Sequence, residues 1–243
     1  PETRMSNMLD LPESVCRFGE YALVMVQCKI RVSKLKNPDE NWYLCFYFLS
    51  KSCRFNHMPA RSEPILYGST YHIYNRGVNK TPIFFSQRNY QYFLFKMGHY
   101  LDKKASIYAY CLMPNHFHLL VKVECENFTL SGLQPFLGAY TKAVNNEQDR
   151  IGPLFQGRFQ ANLIGNDEQL LECVRYIHLN PVEAGLARSP SDWEFSSYRS
   201  YFTTTDSTFV NTGYVMQFFE NLSEFAGFSQ SGSNRPDVFE DYD

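Results

Sequence analysis

His116 and His118 stand two residues apart in "MPNHFHLLV" (113–121), flanking Phe117 at the head of an apolar run. On a β-strand, positions i and i+2 share a face and lie roughly 6–7 Å apart along the backbone. Both imidazoles can then reach one metal ion, while Phe117, Leu119 and Val121 point the other way into a core. The spacing alone also admits a plainer reading, two histidines on a solvated strand face.

A second pair carries complementary chemistry. In "CVRYIHLNPVEAGL" (173–186), Tyr176 and Asn180 are four residues apart, so a helix sets them on one face about 6 Å apart. A phenol, with a pKa of about 10, is a poor nucleophile at neutral pH. It becomes useful when a divalent cation polarises the phosphate it attacks. An Asn carbonyl oxygen one turn away can complete a His-His-Asn ligand set and leave positions open for phosphate and water. Two imidazoles and a carboxamide suit Mg2+ or Mn2+ with substrate oxygens. No closed Cys/His set of the structural zinc kind is present. Each residue also has a plainer reading: Tyr176 as a half-buried helix aromatic, Asn180 as a helix C-terminal residue before Pro181.

The elements that must position these groups can be read from period and punctuation. "STYHIYNRG" (69–77) alternates polar and apolar residues and stops at Gly77, as a strand does. Residues 86–104 open on a Ser N-cap and repeat Tyr90, Phe93, Met97 and Tyr100 at helical spacing. "SIYAYCLMP" (106–114) and "HFHLLVKVE" (116–124) read as antiparallel strands joined across Pro114-Asn115. A helix follows over 129–147, with Gln134-Pro135 as an alternative start. Residues 153–165 read as a strand in which Gly157 marks a bulge or a close backbone approach. Residues 166–180 form the best-signalled helix, with an Asn cap, acids in the first turn and Pro181 after it. The order β-α-β-β-α-β and then a helix predicts an α+β fold: a ferredoxin-like palm with an antiparallel sheet and an added helix. One more helix is expected near 213–226, and a disordered tail after it.

Composition bounds the rest. The chain has 243 residues, 44% hydrophobic and 16% aromatic, enough for one sizeable core with appendages. Its formal charge is -2, so no global basic field advertises nucleic acid, and an anionic partner must be held by a local patch. The cysteine count is seven, an odd number, and no CxxC pair occurs. Free thiols in a reducing cytoplasm are the expectation. No apolar run approaches the roughly 20 residues of a membrane helix, so no membrane partner is expected. Residues 1–57 hold four of the cysteines and show no sustained period. They read as an upstream extension of the reading frame, or else as a small N-terminal subdomain. The working domain is expected over 58–204, with a C-terminal helical extension and tail over 205–243.

"YHIYNRGVNKTPIFF", "MPNHFHLLV", "GPLFQGRFQANLI", "VRYIHLNPVEAGL" and "DWEFSSYRSY" occur in that order. Together they resemble the single-tyrosine HUH transposases, most closely the REP-associated tyrosine transposase branch. The likeness spans roughly residues 60–228. It implies a ferredoxin-like palm whose central strand carries the HUH pair and a late helix whose tyrosine attacks a phosphodiester of single-stranded hairpin DNA. The products are a 5′-phosphotyrosine link and a free 3′ hydroxyl. Carried over, His116 and His118 are metal ligands for Mg2+ or Mn2+, Tyr176 is the nucleophile and Asn180 the third ligand. Tyr140, also on a helix after the HUH strand, stays open as an alternative nucleophile, although its i+4 neighbour Val144 cannot bind metal. His178 reads as a DNA contact or a surface residue.

For DNA contacts the sequence offers Arg76 and Lys80 in the Gly-containing loop "NRGVNK", Arg158 in "FQGRF", and Arg175 beside Tyr176. Lys142 and Arg150 lie near them in sequence. Tyr74, Phe155 and Phe159 are candidate stacking platforms for unpaired bases, with ordinary core packing as the competing reading. The resemblance is compatible with a monomer or a homodimer. Two other functions compete: a hairpin-binding protein without chemistry, and a metal-dependent hydrolase without a covalent step.

Overall fold

A computed structural model of the chain describes residues 64–203 and 209–232. The expectations for residues 1–57 and for the end of the tail lie outside the described residues. Strands β1 (Thr70–Arg76), β2 (Ala105–Met113), β3 (His116–Val123) and β4 (Gln160–Ile164) form one sheet in the order β2-β3-β1-β4. Every neighbouring pair is antiparallel. Helix α1 (Gln87–Leu101) joins β1 to β2, and α2 (Gln134–Glu147) joins β3 to β4. Helix α3 (Asp167–Glu183) follows β4, and two short helices, α4 (Thr212–Met216) and α5 (Leu222–Gln230), come last among the described residues. This is the expected ferredoxin-like palm: β3 slots between the parallel strands β1 and β2, so β1 and β3 become central neighbours.

Alternation along the central strands sorts side chains to two faces. On one face Ile73, Phe117, Leu119 and Val121 are fully buried against α1 and α2. Phe93 of α1 is the hub there, with ring centroids 5.2 Å from Phe117, 4.7 Å from Phe136 and 4.9 Å from Tyr140. Helix α1 starts where predicted: the Asn89 side chain accepts from the backbone N–H groups of Phe85 and Ser86 and ties down its entry. Its buried stripe is Tyr90, Phe93, Met97 and Leu101, with Leu101 in place of the expected Tyr100. Helix α2 is entered through a single π turn, Thr129–Leu133, and Pro135 lies in its first turn, where a missing N–H costs nothing.

The other face is covered by α3, and here the sequence expectation needs correction. Asn166 caps α3 by accepting from Gln169 N–H at 2.8 Å, with Asp167 and Glu168 in the first turn, as read. Pro181, however, sits inside the helix, which continues to Glu183. Proline ends a helix only when the lost hydrogen bond and the ring clash are not absorbed; here Pro181 falls in the last turn, and only Val182 and Glu183 follow it in the helix. From Cys173 to Pro181 every residue of α3 is buried, because the sheet covers one side and the segments 193–202 and 222–231 cover the other. The expected helix near 213–226 is two helices, α4 and α5.

The strand expected over 153–165 shrinks to Gln160–Ile164. Gly157 adopts φ +77° and nothing lies within 4 Å of where its Cβ would be, so it supplies a left-handed bend and not a close approach. Upstream of it pairing is reduced to one bridge, Gly77 with Phe155. Gly77 is the tighter position: a Cβ there would lie 2.0 Å from the Thr81 carbonyl oxygen. That glycine lets the 77–81 loop fold onto itself. Gly77 N–H also donates to Asn115 O at 2.7 Å, fixing the β2–β3 turn against the exit of β1.

Candidate active site

β3 delivers His116 and His118 to the α3 side of the sheet, their ring centroids 4.9 Å apart and their planes at 86°. Asn180 of α3 reaches both. Its Oδ1 lies 3.3 Å from His116 Nε2 and its Nδ2 3.5 Å from His118 Nε2. One turn earlier, Tyr176 sets its ring edge-on to His118, with centroids 5.4 Å apart. The helix spacing of four and the strand spacing of two thus converge on one point.

The proton positions follow from the partners. Asn115 Nδ2 donates to Lys80 O at 3.2 Å, so Asn115 Oδ1, 2.7 Å from His116 Nδ1, is left to accept. His116 therefore carries its proton on Nδ1 and a lone pair on Nε2. That lone pair faces Asn180 Oδ1, a second acceptor. Two acceptors at this distance repel each other, and a cation held between them turns the repulsion into attraction. Turning the Asn180 amide over would give His116 Nε2 a donor but set Oδ1 against His118 Nε2, so it moves the repulsion to the other ring while His118 carries its proton on Nδ1.

Burial pushes His72 down to about 3 and holds His118 well below the usual imidazole value, with His116 and His72 beside it adding to the effect on His118. Both rings are neutral at pH 7, the form that ligates metal. Among the described residues no group of three or more His, Cys, Asp or Glu side chains is arranged to hold a metal ion. A site here therefore needs the Asn180 oxygen. Two imidazole nitrogens and one carboxamide oxygen fit a hexacoordinate Mg2+ or Mn2+ that draws its other ligands from substrate and water.

The remaining expected residues divide. Arg76 lies on β1 directly across from His116 and donates Nε–H to Gln156 Oε1 at 3.0 Å. Lys80 and Arg158 are exposed in the adjoining loops. Arg175 is elsewhere: only 8% exposed, it pairs with Glu172, donates to Ser231 at 3.2 Å and lies over the Phe228 ring. Its charge is committed inside the fold, because α5 closes over the helix face that the sequence left open. Tyr140 sits on the opposite face of the sheet and donates its hydroxyl to Ile83 O at 2.7 Å. His178 is fully buried against Tyr198, Tyr201 and Phe225 and bonds Ser197 Oγ at 2.9 Å. It is neither a surface residue nor placed for a DNA contact. Phe155 and Phe159 are core, at 7% and 9% exposure, and only Tyr74 of the proposed stacking rings is half-exposed.

His72 was missed. It stands on β1, opposite Leu120 and one alternation from Tyr74, which pairs with His118. The available signal was the polar set His72, Tyr74, Arg76 at period two, together with the β1–β3 adjacency that the predicted fold demands.

Residues 65–180 match the family described as "Transposase IS200 like". The match runs from just before β1 to Asn180, so it contains the histidine pair, Tyr176 and every strand of the sheet. Two curated relatives narrow the likeness. The REP-associated tyrosine transposase of Escherichia coli is 28% identical over 98 residues, 40% of this chain and 56% of that protein. A Haemophilus influenzae protein provisionally given the same name is 28% identical over 101 residues, 37% of this chain and 57% of its own length. The chain thus spans little more than half the length of these curated relatives. A solved structure, a REP-associated tyrosine transposase bound to a REP hairpin, is 19% identical with a TM-score of 0.49, covering 63% of this chain and 90% of that one. The resemblance read from the motifs holds. Among the described residues, no helix is long and apolar enough to cross a membrane.

Proposed function

We propose that this chain is a metal-dependent single-stranded DNA transposase that cuts and rejoins hairpin-bearing DNA through a 5′-phosphotyrosine intermediate. One observation carries the reading: the Tyr176 phenol, the His116 and His118 Nε2 atoms and the Asn180 carboxamide meet on one face of the sheet. His116, His118 and Asn180 would hold Mg2+ or Mn2+, which when bound polarises the scissile phosphate. Tyr176 loses its phenolic proton and attacks phosphorus; the Oη–P bond forms, the P–O3′ bond breaks, and the 3′ oxygen takes up a proton. Arg76, at the rim beside His116, and Lys80 and Arg158 in the neighbouring loops would hold the DNA backbone.

The test is a denaturing gel of purified protein with a labelled hairpin-bearing strand and Mg2+ or Mn2+. A covalent protein–DNA band is expected for the native chain and none for Tyr176→Phe. A covalent band persisting in that variant would remove the nucleophile assignment. Tyr176 is only 1% exposed, so attack requires its cover to open. That burial favours a second reading, a hairpin-binding protein whose site stays shut. Hairpin affinity without cleavage under either cation would support it.

A further inference from the structure

His72 Nε2 lies 3.0 Å from His118 Nδ1, and the two rings meet edge to edge, their planes 15° apart and their centroids 5.1 Å apart. The residues are 1% and 2% exposed, so water does not reach this contact in bulk. We infer that His72 is a positioning residue for His118: it accepts the His118 Nδ1 proton and thereby keeps the Nε2 lone pair of His118 turned toward His116 and Asn180. The inference rests on the metal reading of His116, His118 and Asn180 given above.

The chemistry is a question of one proton. A neutral imidazole carries a single N–H, and only its bare nitrogen binds metal. With the Asn180 amide oriented for a metal, its Oδ1 toward His116 Nε2, its Nδ2 donor faces His118 Nε2. His118 Nε2 is therefore the bare nitrogen, and its proton resides on Nδ1, pointing at His72. His116 is held in the same tautomer by a different device, the Asn115 side chain of the β2–β3 turn. Each proposed ligand thus has its Nδ1 proton taken by a dedicated acceptor, one from the turn and one from the adjacent strand. Remove the acceptor on His72 and the His118 proton is free to move to Nε2, where it blocks the ligating position. Groups that orient metal-binding histidines in this way are worth roughly 10- to 100-fold in metal affinity.

The experiment uses the full chain without DNA. Mn2+ binding is titrated by the loss of free-ion electron paramagnetic resonance signal for the native protein, His72→Leu and His72→Gln. In parallel, imidazole 15N spectra of the metal-free native protein read the His118 tautomer. The expected outcome is an Nδ1–H tautomer at His118, Mn2+ affinity reduced about 10- to 100-fold in His72→Leu, and recovery in His72→Gln, whose side-chain oxygen can accept the same proton. An Nε2–H tautomer in the native protein, or native Mn2+ affinity in folded His72→Leu, overturns the role of His72. Failure of the native protein to bind Mn2+ sinks the metal reading instead, and the tautomer in that same sample still decides the contact. If His72→Leu does not fold, the native tautomer and the Gln variant decide it.

Discussion

Tyr140 and Tyr176 lie on opposite faces of the same sheet. Tyr140 packs among Phe84, Phe93 and Phe155 and donates to Ile83 O, while Tyr176 stands edge-on to His72 and His118. A residue on the α1–α2 side cannot approach a phosphate bound at the histidines without passing through the sheet. Tyr140→Phe is therefore expected to leave covalent adduct formation intact. Its cost is in stability, about 1 kcal/mol for the lost hydroxyl–carbonyl bond, measured as a shift in the urea midpoint. Loss of the adduct in folded Tyr140→Phe would reverse the choice of nucleophile.

Arg76 has its backbone opposite His116 in the β1–β3 ladder, and side chains at paired positions project to the same face. Its guanidinium is steadied by Gln156. Arg76→Ala is expected to weaken single-stranded hairpin binding about tenfold, the equivalent of one charge-assisted hydrogen bond. The slope of log affinity against log salt should fall by about 0.7 for each phosphate that the variant no longer neutralises. An unchanged slope, read from fluorescence anisotropy across a salt series, would show that Arg76 touches no phosphate.

Arg175 should behave in the opposite way. Its guanidinium pairs with Glu172 on the same helix and links α3 to α5 through Ser231 and Phe228. Removing it leaves the Glu172 carboxylate without its partner and uncovers the Phe228 ring. Arg175→Ala is expected to lower stability by about 2 kcal/mol while leaving the salt slope of DNA binding unchanged. A lower slope with unchanged stability would restore Arg175 to the DNA surface.

The contrast between Arg76 and Arg175 shows what the sequence could reveal. His116 with His118, and Tyr176 with Asn180, were legible because strand and helix periods are local: two residues or four decide the face. The β-α-β-β-α-β order was legible for the same reason, since each element carries its own period and cap. What failed was long-range. His72 meets His118 across 46 residues of chain, and only the sheet order makes them neighbours. Arg175 and His178 read as exposed because a lone amphipathic helix has a wet face; residues from 193–202 and 222–231 bury it. Phe155 and Phe159 read equally well as stacking platforms or as core until the bend at Gly157 turned their segment inward.

Asn180 offers the sharpest separation of structure from metal. It is 3% exposed and its carboxamide stands between two imidazole nitrogens, one of which faces its oxygen with a lone pair. Asn180→Asp keeps the shape and adds a negative charge. Without a cation that charge is buried beside acceptor nitrogens, an arrangement that costs several kcal/mol unless a proton is taken up. With a cation it is a stronger ligand than the amide. The variant is therefore expected to be less stable than the native chain in chelator, and to gain more from Mn2+. Because a ligand that binds only the folded state stabilises it by mass action, the gap in melting temperature between Mn2+ and chelator should widen in the variant. If that gap is the same in the two proteins, or absent in both, the Asn180 oxygen holds no metal.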